Sequence, residues 1–253
     1  MLRLGDDLAI RMPRREAAAH LLRHQQDWLP VLAPRLPVAV PVPIRVGMPD
    51  REYPWLWSVV PWRRGTPLVD VPAAERRALA PHLAAFHRAI HEPAPRDAPR
   101  NPLRDQPLAT RAAALRRRID AGLVPDGERV VSMFDDALGA EAWGGPRVWI
   151  HGDPHPGNLV ALDEGGLAEL DLGDLTAGDP ATDLAAAWLV FDAEGRRAYR
   201  EALGDVHRAN DPVWLHARGW ALSMAAALLE STAEDAWLIR LGEAALTEAL
   251  SEV

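Results

Sequence analysis

The sequence predicts an α+β protein of two lobes, a small strand-rich lobe over residues 1–60 and a mainly helical lobe over residues 66–253, joined at residues 61–65. Short apolar runs separated by Gly, Asp and Pro fill the first lobe. From Pro72 onward, apolar residues recur mainly at spacings of three and four, which is typical of amphipathic helices. A chain of 253 residues is long enough to pack two such lobes around one core.

The strand-rich lobe is predicted to open with a β-hairpin. Its two apolar strands, Leu2–Leu4 and Leu8–Met12, flank a Gly-Asp-Asp sequence that suits a tight turn. A helix is predicted over residues 15–29, and Pro30 and Pro34 are expected to end it because proline cannot donate a helical hydrogen bond. The aromatic run Trp55–Val60 predicts a further strand near the end of this lobe.

The second lobe is predicted to be helical with one interruption. Helices are expected near residues 73–91, 106–122, 127–142, 181–191, 193–203, 212–230 and 234–251. Pro81 is expected to divide the first of them. The interruption consists of three short strands, predicted at Arg147–Ile150, Leu159–Leu162 and Leu167–Leu172.

The composition excludes several classes of protein. Without cysteine there can be no disulfide, thiolate nucleophile or zinc–cysteine site, which fits a cytoplasmic protein. A formal net charge of −8 argues against nonspecific nucleic-acid binding, and the chain lacks the long apolar run that a membrane span requires. All 28 basic residues are arginine, so any step that commonly uses lysine must here use another group.

The most informative segment runs from His151 to Asp171. Asp153 follows an apolar strand and lies in a loop with two prolines and two glycines, a setting that exposes a side chain rigidly. Asn158 opens the next predicted strand, and Asp171 closes the strand after it. If these two strands pair in antiparallel fashion, the three oxygen-bearing side chains meet near one point.

Such a group of side chains suits phosphoryl transfer. Carboxylate and amide oxygens are ligands of Mg²⁺, which keeps waters and nucleotide phosphates in its remaining positions. Asp153, if it binds no metal, can accept the proton of an attacking hydroxyl group. Phosphoryl transfer needs little beyond such positioning and neutralisation of charge.

Five positions at fixed spacing carry a resemblance to a known family: His151, Asp153, His155, Asn158 and Asp171. The pattern resembles the signature of the aminoglycoside phosphotransferase family, which has the protein-kinase-like fold and includes macrolide, choline and homoserine kinases. The similarity covers most of the chain. It implies a nucleotide-binding first lobe, a hinge, and a second lobe that carries the catalytic loop and the substrate site.

The resemblance implies a role for each of these five residues. Asp153 is the catalytic base, and Asn158 and Asp171 hold Mg²⁺. His151 braces the catalytic loop. His155 belongs to the same loop, where bracing is the more common role for such a residue than metal binding. The phosphoryl donor is ATP or GTP.

The resemblance also assigns residues outside the loop. The hinge is Val59–Trp62, where Val60 and Trp62 meet the nucleotide base. Arg11, on the second strand, stands where the family carries a phosphate-anchoring lysine, and arginine can pair with phosphate oxygens through two nitrogens. Asp183, on the helix after the strands, ties the catalytic loop down.

The chain departs from the family pattern at the nucleotide-binding lobe. Relatives carry a phosphate-covering hairpin ahead of the residues that begin this chain, so the lobe is expected to be truncated. Gln25 stands where the family carries an acidic partner for the anchoring lysine. We therefore expect weak nucleotide binding and low turnover.

The acceptor is expected to be a small hydroxylated molecule, for which an aminoglycoside-like antibiotic is one candidate. Asp174 and Glu230 are candidate substrate residues, because an acidic wall suits a cationic acceptor. Two other functions stay open. One is a catalytically weak or inactive kinase-like nucleotide-binding protein, which the truncated lobe favours. The other is a metallophosphoesterase, which the lack of a second group of histidine and aspartate ligands after residue 158 opposes.

Overall fold

The computed structural model describes residues 1–208 and 211–251, and its order of elements follows the predicted α+β pattern. The strands of this part are β1 (Leu2–Leu4), β2 (Leu8–Arg11), β3 (Arg45–Gly47), β4 (Trp57–Pro61), β5 (Gly65–Pro67), β6 (Val148–Ile150), β7 (Leu159–Leu162), β8 (Leu167–Glu169) and β9 (Thr176–Gly178). Residues 209, 210, 252 and 253 of the predicted helical lobe lie outside the described residues.

The described helices are α1 (Glu16–Leu32), α2 (Ala73–Arg76), α3 (Ala80–Ile90), α4 (Ala112–Asp120), α5 (Gly127–Gly139), α6 (Ala181–Leu184), α7 (Ala186–Leu189), α8 (Ala193–Leu203), α9 (Val213–Leu228) and α10 (Ala236–Ser251). Pro81 lies in the first turn of α3, where its missing N–H is tolerated, so the predicted division from α2 is confirmed. No helix in the described ranges is long and apolar enough to cross a membrane.

The first sixty residues form a small antiparallel sheet with α1 packed against it. The strand order is β1-β2-β4-β3, and the predicted hairpin is present, with Leu4 opposite Leu8. Gln26 of α1 donates a hydrogen bond to the Ser58 hydroxyl of β4 at 2.9 Å. Trp28 packs on Trp149 of β6, with ring centroids 4.8 Å apart. This contact joins the sheet and its helix to the strand that precedes the catalytic loop.

The prediction that α1 ends at Pro30 is wrong, whereas the helix does end before Pro34. The helix continues through Pro30 to Leu32, and a short 3-10 turn follows. Leu29 is fully buried and Leu32 is 2% exposed, so both side chains anchor the last turn in the core. Their burial holds the turn in place although proline leaves one backbone carbonyl without its helical donor.

Three short strands, β5, β7 and β8, form a sheet that includes part of the predicted catalytic segment from His151 to Asp171. β7 pairs with β5 on one side and β8 on the other, in antiparallel fashion, and Leu159 lies opposite Glu169. Asp171 was expected to close the last strand, which is wrong, since β8 ends at Glu169. The Asp171 carboxylate accepts the Gly173 N–H at 3.0 Å, and this local hydrogen bond turns the chain out of the ladder.

The hydrophobic core lies mainly among the helices of the second lobe. α9 is its central helix and packs against α4, α5, α6, α7 and α10. Trp220 and Leu222 on opposite sides of α9 are both buried, as expected for a helix surrounded by others.

A cluster of buried histidines lies in this core, next to the strand that leads into the catalytic loop. His87 on α3 and His91, which directly follows this helix, stack with ring centroids 5.5 Å apart, and His207 meets His91 edge-on at 6.1 Å. His87 hydrogen-bonds the Tyr199 hydroxyl. Burial lowers the pKa of His87 to about 3 and that of His207 to about 4, so both rings are neutral in the folded protein near pH 7.

This burial predicts that mild acid destabilises the protein. The unfolded chain takes up a proton at His87 below its ordinary pKa of about 6.5, whereas the folded chain does not until the pH approaches 3. The free energy of unfolding should therefore fall as the pH decreases from 7 to 5. His87→Gln should remove about 2 kcal/mol of that fall.

Urea unfolding of both proteins at the two pH values measures the difference. His82→Gln is the matched control, because His82 is exposed on the same helix and should leave the pH dependence unchanged. An equal loss of stability in wild type and His87→Gln would contradict the prediction.

Candidate active site

The loop of residues 151–158 is fixed at its start by one buried carboxylate. Asp183, on α6, is fully buried and accepts the N–H groups of His151 and Gly152, each at 2.8 Å. His91 Nε2 lies 3.1 Å from the same carboxylate. Burial alone would raise the pKa of Asp183, but the hydrogen bond from His91 and the nearby histidines outweigh it and lower the pKa to about 2. The loop therefore begins at an ionised internal anchor.

His151 braces the loop from inside the protein. Its Nδ1 accepts the Asp153 N–H at 3.0 Å, so the ring proton lies on Nε2, which faces Glu169 Oε1 at 2.9 Å. Both side chains are buried, and neither reaches solvent. Sequence reasoning missed Glu169. Its signal is a carboxylate at a buried strand position, where an unpartnered charge would be costly.

Asp153 lies at the surface of the loop with both carboxylate oxygens engaged. Arg104 Nη2 donates to Oδ1 at 2.7 Å, while His155 Nε2 and Asn158 Nδ2 both lie 3.3 Å from Oδ2. Burial would raise the pKa of Asp153, but the charge of Arg104 and then His155 hold it well below its usual range. Asp153 is therefore an ionised carboxylate that solvent can reach.

His155 is oriented by its own loop. Its Nδ1 accepts the Gly157 N–H at 3.0 Å, which leaves the ring proton on Nε2, facing Asp153. Trp237, at the start of α10, packs edge-on against the ring, with centroids 6.2 Å apart. The structure therefore brings His155 to the Asp153 carboxylate rather than into a group of metal ligands.

Asp171 is held by one oxygen and leaves the other open. Its Oδ1 accepts hydrogen bonds from Arg11 Nη2 at 2.9 Å, Gln25 Nε2 at 2.9 Å and the Gly173 N–H at 3.0 Å. Within residues 1–208 and 211–251, Oδ2 receives no hydrogen bond. Arg11 outweighs the effect of burial and lowers the pKa of Asp171, so this carboxylate is also ionised.

The arrangement fits a magnesium ion that arrives with a nucleotide. Asn158 donates its amide nitrogen to the Asp153 carbonyl at 2.9 Å, and its own backbone carbonyl accepts the Leu170 N–H at 2.8 Å, which places Asn158 next to the segment that carries Asp171. Within the described residues, the Asn158 amide oxygen receives no hydrogen bond. Among the described residues, no three His, Asp or Glu side chains form a metal cage. Mg²⁺ commonly takes one or two protein carboxylates and completes its shell with water and phosphate, so two oxygens are a sufficient donor set.

A cavity of about 360 Å³ opens beside Asp171, between β2 and α1. Its polar lining includes Arg11, Arg14, Arg15, Gln25 and Asp171. The volume lies within the usual range for a small-molecule site. Arg11 also donates to the Leu170 carbonyl, so this predicted phosphate anchor is tied to the Asp171 loop.

The predicted hinge is part of the sheet. Val60 is buried opposite Ala9, and the Trp62 N–H donates to the Asp7 carbonyl at 2.8 Å. The Arg3 guanidinium lies 5.5 Å from the centroid of the Trp62 ring. Since the Trp62 N–H is already bonded, contact between the hinge and a nucleotide base stays a prediction.

Arg104 is the main residue of the site that sequence reasoning missed. It comes from the connection between α3 and α4, where no motif marks it, and its Nε lies 3.3 Å from Asp174 Oδ2. Glu230, the other predicted substrate residue, pairs with Arg118 of α4 at 2.7 Å. Both predicted substrate carboxylates, Asp174 and Glu230, therefore already pair with an arginine of the same chain.

Removal of the Asp183 carboxylate should destabilise the whole fold. Asp183→Ala leaves two buried backbone N–H groups without acceptors, which costs about 3 kcal/mol or more. Urea unfolding measures the loss, with Asp163→Ala as control because Asp163 is exposed in the turn between β7 and β8. Loss of under about 0.5 kcal/mol, the range of ordinary surface substitutions, would contradict the account.

The fold has well-matched relatives among solved structures. The GDP complex of a mutant aminoglycoside 2'-phosphotransferase-IIIa is 18% identical, with a TM-score of 0.71, over 98% of this chain and 86% of that one. Macrolide 2'-phosphotransferase MphH from Brachybacterium faecium is 22% identical, with a TM-score of 0.57, over 98% and 84%. The streptomycin–ATP complex of APH(2'')-IIa is 15% identical, with a TM-score of 0.56, over 98% and 86%. At these identities the likeness establishes the fold.

Sequence comparison establishes the family. Comparison with curated proteins finds no significant match. The profile of the phosphotransferase enzyme family, in contrast, matches residues 2–220, which is most of the chain. The resemblance carried by the loop signature and the kinase-like two-lobed fold are both confirmed. The chain belongs to the phosphotransferase enzyme family.

Proposed function

We propose that the chain transfers a phosphoryl group from a magnesium-bound nucleotide, ATP or GTP, to a hydroxyl group of a small molecule. The observation that carries the proposal is the ionised Asp153 carboxylate in one loop with Asn158, whose carbonyl accepts the N–H of Leu170, the residue before Asp171. Family membership supports the same reaction class. The residues belong to a nucleotide-binding lobe at 1–60, a hinge at 61–65 and a substrate-binding lobe at 66–253.

Asp153 acts on the acceptor. Its carboxylate receives the proton of the acceptor hydroxyl while the hydroxyl oxygen forms its bond to phosphorus and the nucleoside diphosphate departs. A carboxylate of low pKa is a weak base, so the proton moves late, when the new bond has made the hydroxyl acidic. His151 and His155 position the loop, and Asp183 anchors it.

Asn158 and Asp171 would hold Mg²⁺ through their open oxygens. The ion supplies neutralisation of phosphate charge when it is bound. Arg11 restrains Asp171 and lines the adjoining cavity, from which it can also face the phosphate chain. Val60 and Trp62 stay the proposed neighbours of the nucleotide base.

The acceptor is a small hydroxylated compound. Aminoglycoside and macrolide phosphotransferases among the structural relatives make such antibiotics the first compounds to test, and resistance would follow from activity on them. Asp174 and Glu230 are proposed to face the acceptor, although their arginine partners reduce the negative charge that a polycation would meet. A cytoplasmic location remains a prediction from the cysteine-free composition.

A catalytically weak or inactive nucleotide-binding protein is the second candidate. Gln25 favours it, because the neutral amide binds Asp171 and provides no acidic partner for Arg11. The two candidates differ in whether an acceptor accelerates nucleotide consumption.

The first candidate predicts acceptor-dependent consumption of ATP or GTP that requires Asp153. Purified protein is incubated with Mg²⁺, each nucleotide and a panel of aminoglycosides, macrolides and simple amino alcohols. Asp153→Asn should lower the acceptor-dependent rate about 100-fold or more, since the loss of a general base commonly costs this much. The variant should still bind the nucleotide, which serves as the control for folding. A rate unaffected by Asp153→Asn would contradict the assignment, and nucleotide binding without any acceptor effect would support the second candidate.

A further inference from the structure

Arg104 connects the proposed base to a second carboxylate. Its Nη2 donates to Asp153 Oδ1 at 2.7 Å, and its Nε lies 3.3 Å from Asp174 Oδ2. The Arg104 side chain is 19% exposed, so most of it is packed within the protein rather than lying in solvent. A planar guanidinium that meets two carboxylates through different nitrogens is held in one orientation.

Two further residues build this position. Asn101 Nδ2 donates to Asp174 Oδ1 at 2.7 Å, and Asn101 Oδ1 accepts the Arg104 N–H at 3.1 Å. Asn101 thus fixes both Asp174 and the backbone that carries Arg104. Gly152 has a φ of +88°, and a Cβ atom there would lie 3.1 Å from Arg104 Cγ and 2.9 Å from the Asp174 carbonyl oxygen. The glycine of the loop therefore leaves the space through which Arg104 reaches Asp153.

The two oxygens of Asp153 are unequal as a result. Oδ1 has a short bond to a cation, whereas the donors at Oδ2, His155 and Asn158, both lie 3.3 Å away. Oδ2 is therefore the less tightly held oxygen. It can give up one of these hydrogen bonds and accept one from the hydroxyl group of the phosphoryl acceptor.

We propose that Arg104 is a positioning residue of the phosphoryl-transfer site, which binds Asp153 Oδ1 and thereby fixes the orientation in which Oδ2 meets the acceptor. Asp174 is then the residue that holds Arg104 in place. This inference rests on the proposed function of Asp153, but the pairing itself has consequences that do not depend on turnover.

The division of the effect between kcat and KM tests this role. Arg104→Met keeps the length of the side chain and removes its donors to both carboxylates, so kcat should fall about 10-fold or more while KM for the nucleotide stays within about two-fold. Arg104→Lys restores a positive charge without the fork, and should recover part of the lost kcat. Arg116→Gln is the control, because Arg116 is exposed on α4, pairs with Asp135 and should change neither constant. An unchanged kcat in Arg104→Met would overturn the inference.

Crystal structures separate this inference from the proposed function, because they require no turnover. In wild type Asp153 Oδ1 should lie at hydrogen-bond distance from Arg104, and in Arg104→Met the Asp153 carboxylate should rotate away from that position. Asp174→Asn, which loosens Arg104 without removing it, should produce a smaller displacement in the same direction and serves if Arg104→Met does not fold. An identical orientation of the Asp153 carboxylate in wild type and both variants would overturn the inference, whereas absent turnover with the expected rotation would count against the proposed function alone.

Discussion

The site depends on the two hydrogen bonds that the buried carboxylate of Asp183 accepts. This carboxylate accepts two successive backbone N–H groups at the start of the catalytic loop, so the direction of the chain through Gly152 is determined before any functional side chain is placed. β6 is buried and paired with β9, whose chain continues directly into the helix that carries Asp183. β6, the loop that follows it and the Asp183 carboxylate are therefore connected to one another. The Trp28–Trp149 contact joins them to the small sheet.

Each of the two carboxylates at the site, Asp153 and Asp171, is bound by its own arginine. Arg104 binds Oδ1 of Asp153, and Arg11 binds Oδ1 of Asp171. In each case the arginine keeps the acid ionised and leaves Oδ2 for the proposed chemistry, which is proton acceptance at Asp153 and cation binding at Asp171. A chain without lysine can build such a site, because the guanidinium fork restrains one oxygen in a defined direction, which a flexible ammonium would do less well.

The sequence was sufficient for most of the architecture and for the loop. The hairpin and the limits of α8 and β7 follow from apolar spacing and turn residues, and the family follows from the signature, whereas the roles of Asp153, Asn158 and Asp171 stay proposals. Two features escaped it for physical reasons. Burial of Leu29 and Leu32 carries α1 past Pro30, which local propensity cannot anticipate. Arg104 reaches the site from a segment 49 residues away, and a long-range pairing of this kind leaves no periodicity or motif.

The most direct test of the account is the affinity for ATP measured with and without Mg²⁺, in wild type and Asp171→Asn, by isothermal titration calorimetry. Because the open oxygens of Asn158 and Asp171 are the proposed magnesium ligands, ATP should bind wild type only when Mg²⁺ is present. The magnesium-dependent part of the binding should be lost in Asp171→Asn. Equal ATP binding in Mg²⁺ and in EDTA, or an unchanged magnesium dependence in the variant, would contradict the central claim that this loop is a magnesium–nucleotide site.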